Sequence, residues 1–365
     1  MILIYLSETL LYLCFSLITG SLILSLIPGS RKPEITIRKR WIQISILGIV
    51  IFSLFPVIRL VLFLYEDIGL WVTIQNVIST FEVGQAWSFT LFVSIAFYLY
   101  VSIFSIFTKK IHTVISLSFT FVLLLALGWA SHSASLNEWS GFVAHCIHFL
   151  AVTIWVGILI VVSWFSVNSA NWLTFLKWFT PVAISCLLVV AASGYFLMTL
   201  VIDLNNYADT WILPYGQSLL IKHLILIPII FFAIINGIWM KRKIQKDSTI
   251  NPRNWVKAES FTLLLIFSAT AVLAQQEAPH DIDSEAASNG MARLFSTVYS
   301  ESISLPIDAS MDLNMLGILF FGLSICFLSF AWVATMKKFS PLIAFSMSIL
   351  CMISMYLGLM NSVVF

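Results

Sequence analysis

Ten long apolar runs recur along this chain, at about 3–27, 41–63, 85–107, 112–130, 140–166, 174–202, 217–239, 257–274, 313–335 and 340–361. Each is close to the ~20 residues that carry a helix across the hydrocarbon core of a bilayer. Inside hydrocarbon every backbone N–H and C=O must find a partner within the protein, so helices are the expected form. Composition points the same way: 60% of the residues are hydrophobic and 10% are charged. Soluble domains are closer to half apolar and a quarter charged. The sequence therefore predicts an all-α polytopic membrane protein of about ten transmembrane helices.

Lys and Arg gather in alternate connections. The first connection carries Arg31, Lys32, Arg38, Lys39 and Arg40; later ones carry Lys109 with Lys110, then Lys177, then the 240–257 cluster, then Lys337 with Lys338. Together they hold 16 of the 19 basic residues. The intervening connections are acidic, with Glu66, Asp67, Glu82, Glu138, Asp203 and Asp209. Cytoplasmic loops carry the Lys/Arg excess, so the basic ends face inward and the acidic ends outward. With an even number of spans both termini are expected to be external. The first run has no basic segment before it, so it is expected to stay as an anchor and not to be cleaved as a signal. Positive-inside anchoring also accounts for the 240–257 cluster, and no nucleic-acid partner is expected.

Four regions follow from this layout: an N-terminal three-helix region at 1–110, a helical core at 111–275, an acidic external loop at 276–312 and a C-terminal helix pair at 313–365. The acidic loop, with His280 and Met291, is expected to be solvated, with a short surface helix through 286–297. The five cysteines all lie inside apolar runs and form no CxxC, so no disulfide framework is expected.

Polar side chains inside the runs carry the functional signal, because such groups are costly in hydrocarbon unless they have a partner or a task. His132, His145 and His148 fall within seventeen residues. On a helix His145 and His148 are i and i+3 and share a face, roughly 8 and 12 Å below the helix start at 1.5 Å per residue. Trp155 continues their stripe, and Gly157 permits close helix approach. His223, beside Lys222, and Met198 come at a similar depth. Neutral imidazole is the commonest nitrogen ligand for transition metals, although an isolated His more often bonds a backbone carbonyl. Met347, Cys351 and Met355 form a stripe at helical spacing in the last run, and Met315 and Cys326 share a face in the one before. Thioether and thiolate suit Cu(I), but a Met stripe is usually packing. The candidate ligands His132, His145, His148, His223, Met198 and Met355 all lie outward of the midplane. Arg59 and Lys222 are expected to snorkel, and Glu259 is expected to form an ion pair with the basic inner loop.

The order of motifs resembles the CopD family of bacterial copper-resistance and copper-uptake membrane proteins. SHSA at 131–134 and HCIHFLAVTIWVG at 145–157 are similar to its His, HxxH and WxG pattern. SGYFL at 193–197, PYGQSLLIKHLILIP at 214–228, INGIWMKRK at 235–243 and RNWVKAESFTLLLIFSATAVL at 253–273 follow in the family's order, with Glu259 in its acidic position. The resemblance covers roughly 120–275 and departs from the family at His223. It implies a multi-pass protein of the bacterial plasma membrane, not an enzyme, that handles a copper ion as Cu(I) or Cu(II). The carried-over ligands are His132, His145 and His148. It also implies an external CopC-like copper-binding partner, with membrane lipid as surroundings.

Copper import is the leading expectation. No P-loop is present, so it would proceed without ATP hydrolysis. Two other readings stay open: an outward-facing copper receptor or delivery factor that does not transport, and a haem-bearing electron-transfer protein with bis-His ligation, for example by His148 and His223.

Overall fold

The computed structural model describes residues 2–131, 138–247, 250–279, 281–299, 303, 305–337 and 339–365. Ten stretches of its helices are long and apolar enough to cross a membrane, so the chain is an all-α polytopic membrane protein. The helices fall into two compact units, Met1–Leu200 and Val201–Phe365.

In the first unit α1 (Ile2–Leu26), α2 (Lys39–Ile68), α3 (Leu70–Thr80), α4 (Glu82–Ile103), α5 (Lys110–Trp129), α6 (Glu138–Phe165) and α7 (Trp172–Thr199) follow in order. The spanning stretch of α6 is the most buried of the ten, and α6 packs on α1, α5 and α7. Its partnership with α1 is parallel. The Tyr12 and Phe15 rings meet Phe149 edge-on at 5.5 and 5.3 Å, and one helical stretch further along Gly20 meets the Gly157 backbone. A side chain at either glycine would collide with backbone, so these two residues set the helix separation. The close approach expected of Gly157 is thus met by a glycine on α1.

The basic end of this unit is tied by backbone and amide bonds. Val167 N–H donates to Glu34 O at 2.8 Å, Thr36 N–H to Phe165 O at 3.0 Å, and Trp178 Nε1 to Arg31 O at 2.8 Å. Lys32 Nζ donates to the Leu24 carbonyl, satisfying one of the free carbonyls that end α1. At the acidic end the connection after α2 holds a helix the apolar runs did not predict. α3 is amphipathic: Thr73 and Val77 are buried, while Leu70, Trp71 and Val72 are exposed. Its eleven residues are too few to span, and a Trp-bearing apolar face suits the interface of a bilayer.

The second unit begins with α8 (Pro214–Ile234), which runs through a π-turn at Ile235–Trp239 into α9 (Met240–Lys246). α10 (Arg253–Leu273), α11 (Ile282–Asn289), α12 (Arg293–Val298), α13 (Met315–Met336) and α14 (Pro341–Ser362) complete it. Ser310–Met311 and Val363–Val364 pair as a short antiparallel ribbon.

The acidic loop differs from its expectation in two ways. Its surface helix is split into α11 and α12, because Gly290 at φ +74° ends the first. It is also packed and not merely solvated. Phe295 is fully buried and stacks on Tyr299 at 4.9 Å, and both meet Phe365 edge-on. Ala292 N–H donates to Ile212 O at 2.8 Å, and Ala309 N–H to Asp209 Oδ1 at 2.7 Å. Leu220, Leu224, Tyr356 and Met360 belong to the same apolar cluster. The segment is therefore a cap seated on the helix ends of its own unit. A loop rich in Asp and Ser hides this, because only a few apolar residues carry the packing.

Candidate metal centre

The site in the first unit is built on α6 and α7. His145 and His148 are both half-buried on α6. His148 Nδ1 lies 3.0 Å from Ser193 Oγ on α7. Ser193 also sits 2.6 Å from the Val189 carbonyl, one turn earlier on its own helix. The carbonyl can only accept, and it is the nearer of the two, so it takes the hydroxyl proton. The imidazole is then the donor at Nδ1. A ligating His typically carries such a partner on its other nitrogen. Gly194 makes room for the ring: a Cβ there would lie 3.2 Å from His148 Cε1.

Two further residues belong to this level of the unit by register. From the His148–Gly194 contact, three residues back along α6 lead to His145. Four residues on along the antiparallel α7 lead to half-buried Met198. At 1.5 Å per residue these steps are roughly 4.5 and 6 Å, both toward the acidic end. The second residue is Glu8, which the sequence reading passed over. In the parallel α1–α6 pair, Tyr12 is level with Phe149 and Gly20 with Gly157. Glu8, one turn before Tyr12, is therefore level with His145. It is 7% exposed and lies 3.5 Å from the Tyr12 hydroxyl. The legible signal was a carboxylate standing alone in the first apolar run, with tyrosines at i−3 and i+4. His132 lies outside the described residues, as does His280. Among the described residues no three His, Cys, Asp or Glu side chains come together as ligands.

The other candidates belong to the second unit, each with its own surroundings. His223 Nδ1 lies 2.8 Å from the Tyr207 hydroxyl, and burial pushes that phenol up to about 12, so it stays neutral at physiological pH. Met355 is half-buried against the apolar cluster of Leu220, Leu224, Tyr356 and Met360. Cys351 is buried with Sγ 3.2 Å from Ser324 Oγ. Met315 and Cys326 are exposed, so their common face points away from the helical packing. Glu259 does not form the expected ion pair: Asn236 Nδ2 donates to its Oε2 at 2.8 Å. The π-turn brings that amide to α10, which spacing alone could not reveal.

Fold and site together define a multi-pass helical membrane protein with two imidazoles, His145 and His148, half-buried on one span. Residues 173–273 match the family model of Copper resistance protein D, CopD, which supports the CopD assignment made from the motifs and a copper-related role in the membrane. The match includes Ser193, Gly194, Met198, His223, Asn236 and Glu259, whereas His145 and His148 precede it. Comparison with curated proteins and with solved structures gave no match.

Proposed function

We propose that this protein binds copper at the outward ends of α6 and α7 through His132, His145 and His148, with Met198 beside them, and moves it across the bacterial plasma membrane into the cytoplasm. The observation that supports the reading is the Ser193–His148 contact, which orients the imidazole on α6 against α7. Imidazole nitrogen with a nearby thioether suits Cu(I), and imidazole alone accepts Cu(II) as well. The outward carboxylates would draw cations to that face, and an external CopC-like protein would deliver the metal. Copper here is cargo, and no catalytic residue is assigned.

A second reading is favoured by the soft donors of the second unit. Cys351 and Met355 are engaged in packing, and Met315 and Cys326 are exposed, so among the described residues these four do not gather as a soft-donor site. An outward receptor that hands copper to a neighbouring membrane protein needs no such site. The experiment is copper content and radiolabelled copper accumulation in proteoliposomes, wild type beside His132→Ala, His145→Ala and His148→Ala. Stoichiometric copper and uptake, both lost in the variants, support transport. Binding without uptake supports the receptor. Copper retained in every variant overturns both.

A further inference from the structure

Glu259 is 2% exposed within α10, six residues and roughly 9 Å from that helix's basic end. A carboxylate at such a place in a membrane span is costly unless something balances its charge. Arg253 and Lys257 on α10, Lys241, Arg242, Lys243 and Lys246 on α9, and Lys337 after α13 are the nearest bases in the chain. None of them forms an ion pair with Glu259 among the described residues; Lys243 Nζ donates instead to the Thr335 carbonyl. The two spans packed on α10 are α8 and α14. α14 contributes only Cys351 and Tyr356 as titratable groups, and Tyr215, Lys222 and His223 of α8 lie near its far end.

Among the described residues, the group that faces the carboxyl is an amide. Asn236 Nδ2 donates to Glu259 Oε2 at 2.8 Å and to Trp255 O at 3.2 Å. The Trp255 carbonyl accepts only, so it fixes the amide's orientation. That leaves Asn236 Oδ1 with no hydrogen-bond partner, although the residue is 5% exposed. A buried acceptor without a donor costs about 1–3 kcal/mol, and its natural complement is a hydroxyl hydrogen. Asn236 also lies in the π-turn Ile235–Trp239, a local irregularity concentrated at functional sites. One carboxyl and one amide offer too few oxygens for Ca²⁺ or Mg²⁺. A proton needs only the carboxyl.

We infer that Glu259 is an intramembrane proton-binding site, positioned by Asn236 at the π-turn. The carboxylate takes one proton from water at the basic end of α10 and becomes a neutral acid; release breaks the same O–H bond and returns the proton to water. Because its partner amide is part of the turn, proton occupancy and the geometry of α8–α9 are linked. The inference does not rest on the copper reading.

The test is infrared difference spectroscopy of the full chain in lipid nanodiscs through a pH titration, in light and heavy water. Wild type should show a deuterium-sensitive carboxylic C=O band that titrates, disappears in Glu259→Gln and shifts in Asn236→Ala. Gln keeps the volume and an acceptor for Asn236. Spectra of Glu259→Gln that superimpose on wild type at every pH overturn the proposal. An apolar carbodiimide, which modifies protonated carboxyls in hydrocarbon, tests the wild type directly and needs no variant to fold. A mass adduct on Glu259 that diminishes with rising pH supports the inference, and its absence at every pH overturns it.

Discussion

His148 is oriented by Ser193: Nδ1 and Oγ are 3.0 Å apart, and the serine's own proton is committed to Val189 O at 2.6 Å. The imidazole is thereby oriented as an Nδ1 donor toward α7. The same α7 segment supplies Gly194, where a Cβ would lie 3.2 Å from His148 Cε1 and crowd the ring. The SG dipeptide thus has a physical meaning at this site.

Removing the orienting partner should weaken the metal without unfolding the helix pair. Ser193→Ala should lower copper affinity by roughly 10–100-fold, the range seen when a ligand's outer partner is lost. Gly194→Ala should have a similar effect by displacing the ring. Competition with a chromophoric copper chelator measures both, and unchanged affinity in the two variants would detach His148 from the site.

Glu8 stands level with His145 and is buried. Glu8→Gln keeps the volume and removes the charge, so copper affinity should fall by about 10-fold, as for loss of an outer-shell partner, with little change in melting temperature. Equal affinity in variant and wild type would leave Glu8 as a packing residue.

The two methionines should behave differently. Met198→Leu should reduce affinity for Cu(I), because a thioether is exchanged for an alkyl chain at the His level. Met355→Leu should leave copper binding unchanged and cost less than about 1.5 kcal/mol, as a volume-conserving swap within an apolar cluster. Chelator competition and thermal melts of the two variants separate these outcomes.

Tyr207 provides a pH test in the second unit. Its folded value is raised to about 12 from 10.0 by burial. A phenol raised on folding contributes fully below the unfolded value and loses that contribution as pH climbs through the folded one. Wild type should therefore lose about 2–3 kcal/mol relative to Tyr207→Phe between pH 10 and about 12, at ~1.36 kcal/mol per unit. Denaturant melts across that range read the difference, and parallel curves would contradict it.

The cap should fail as a unit. Phe295→Ala removes a fully buried ring, a change that costs about 3–5 kcal/mol in a well-packed core. Hydrogen exchange should then accelerate over Ala292–Tyr299 while the α13–α14 pair stays protected. Protection retained across the cap would mean that Phe295 does not hold it.

The spans were legible because a membrane helix needs a long apolar run whatever its neighbours are, and ten runs became ten spanning stretches. The His stripe and the close approach at Gly157 were legible from helical periodicity. Glu8 was legible only as a lone carboxylate flanked by tyrosines, and its level with His145 emerged only once α1 was seen packed on α6. α3 was hidden by its shortness, and the cap by its acidic composition. Glu259 looked like half of an ion pair because the basic loop is close in sequence; the π-turn instead brings an amide to it.

By itself, then, the sequence determined that the chain must cross a membrane repeatedly as helices and that His145 and His148 share one face of a span. Hydrocarbon dictates the first, since it does not tolerate an unpaired backbone, and helical periodicity gives the second. Which nitrogen of His148 meets Ser193, which residue stands level with His145 and what faces Glu259 were decided only in the tertiary structure. Those answers depend on the register between helices, which backbone contacts such as Gly20 on Gly157 set to within a residue.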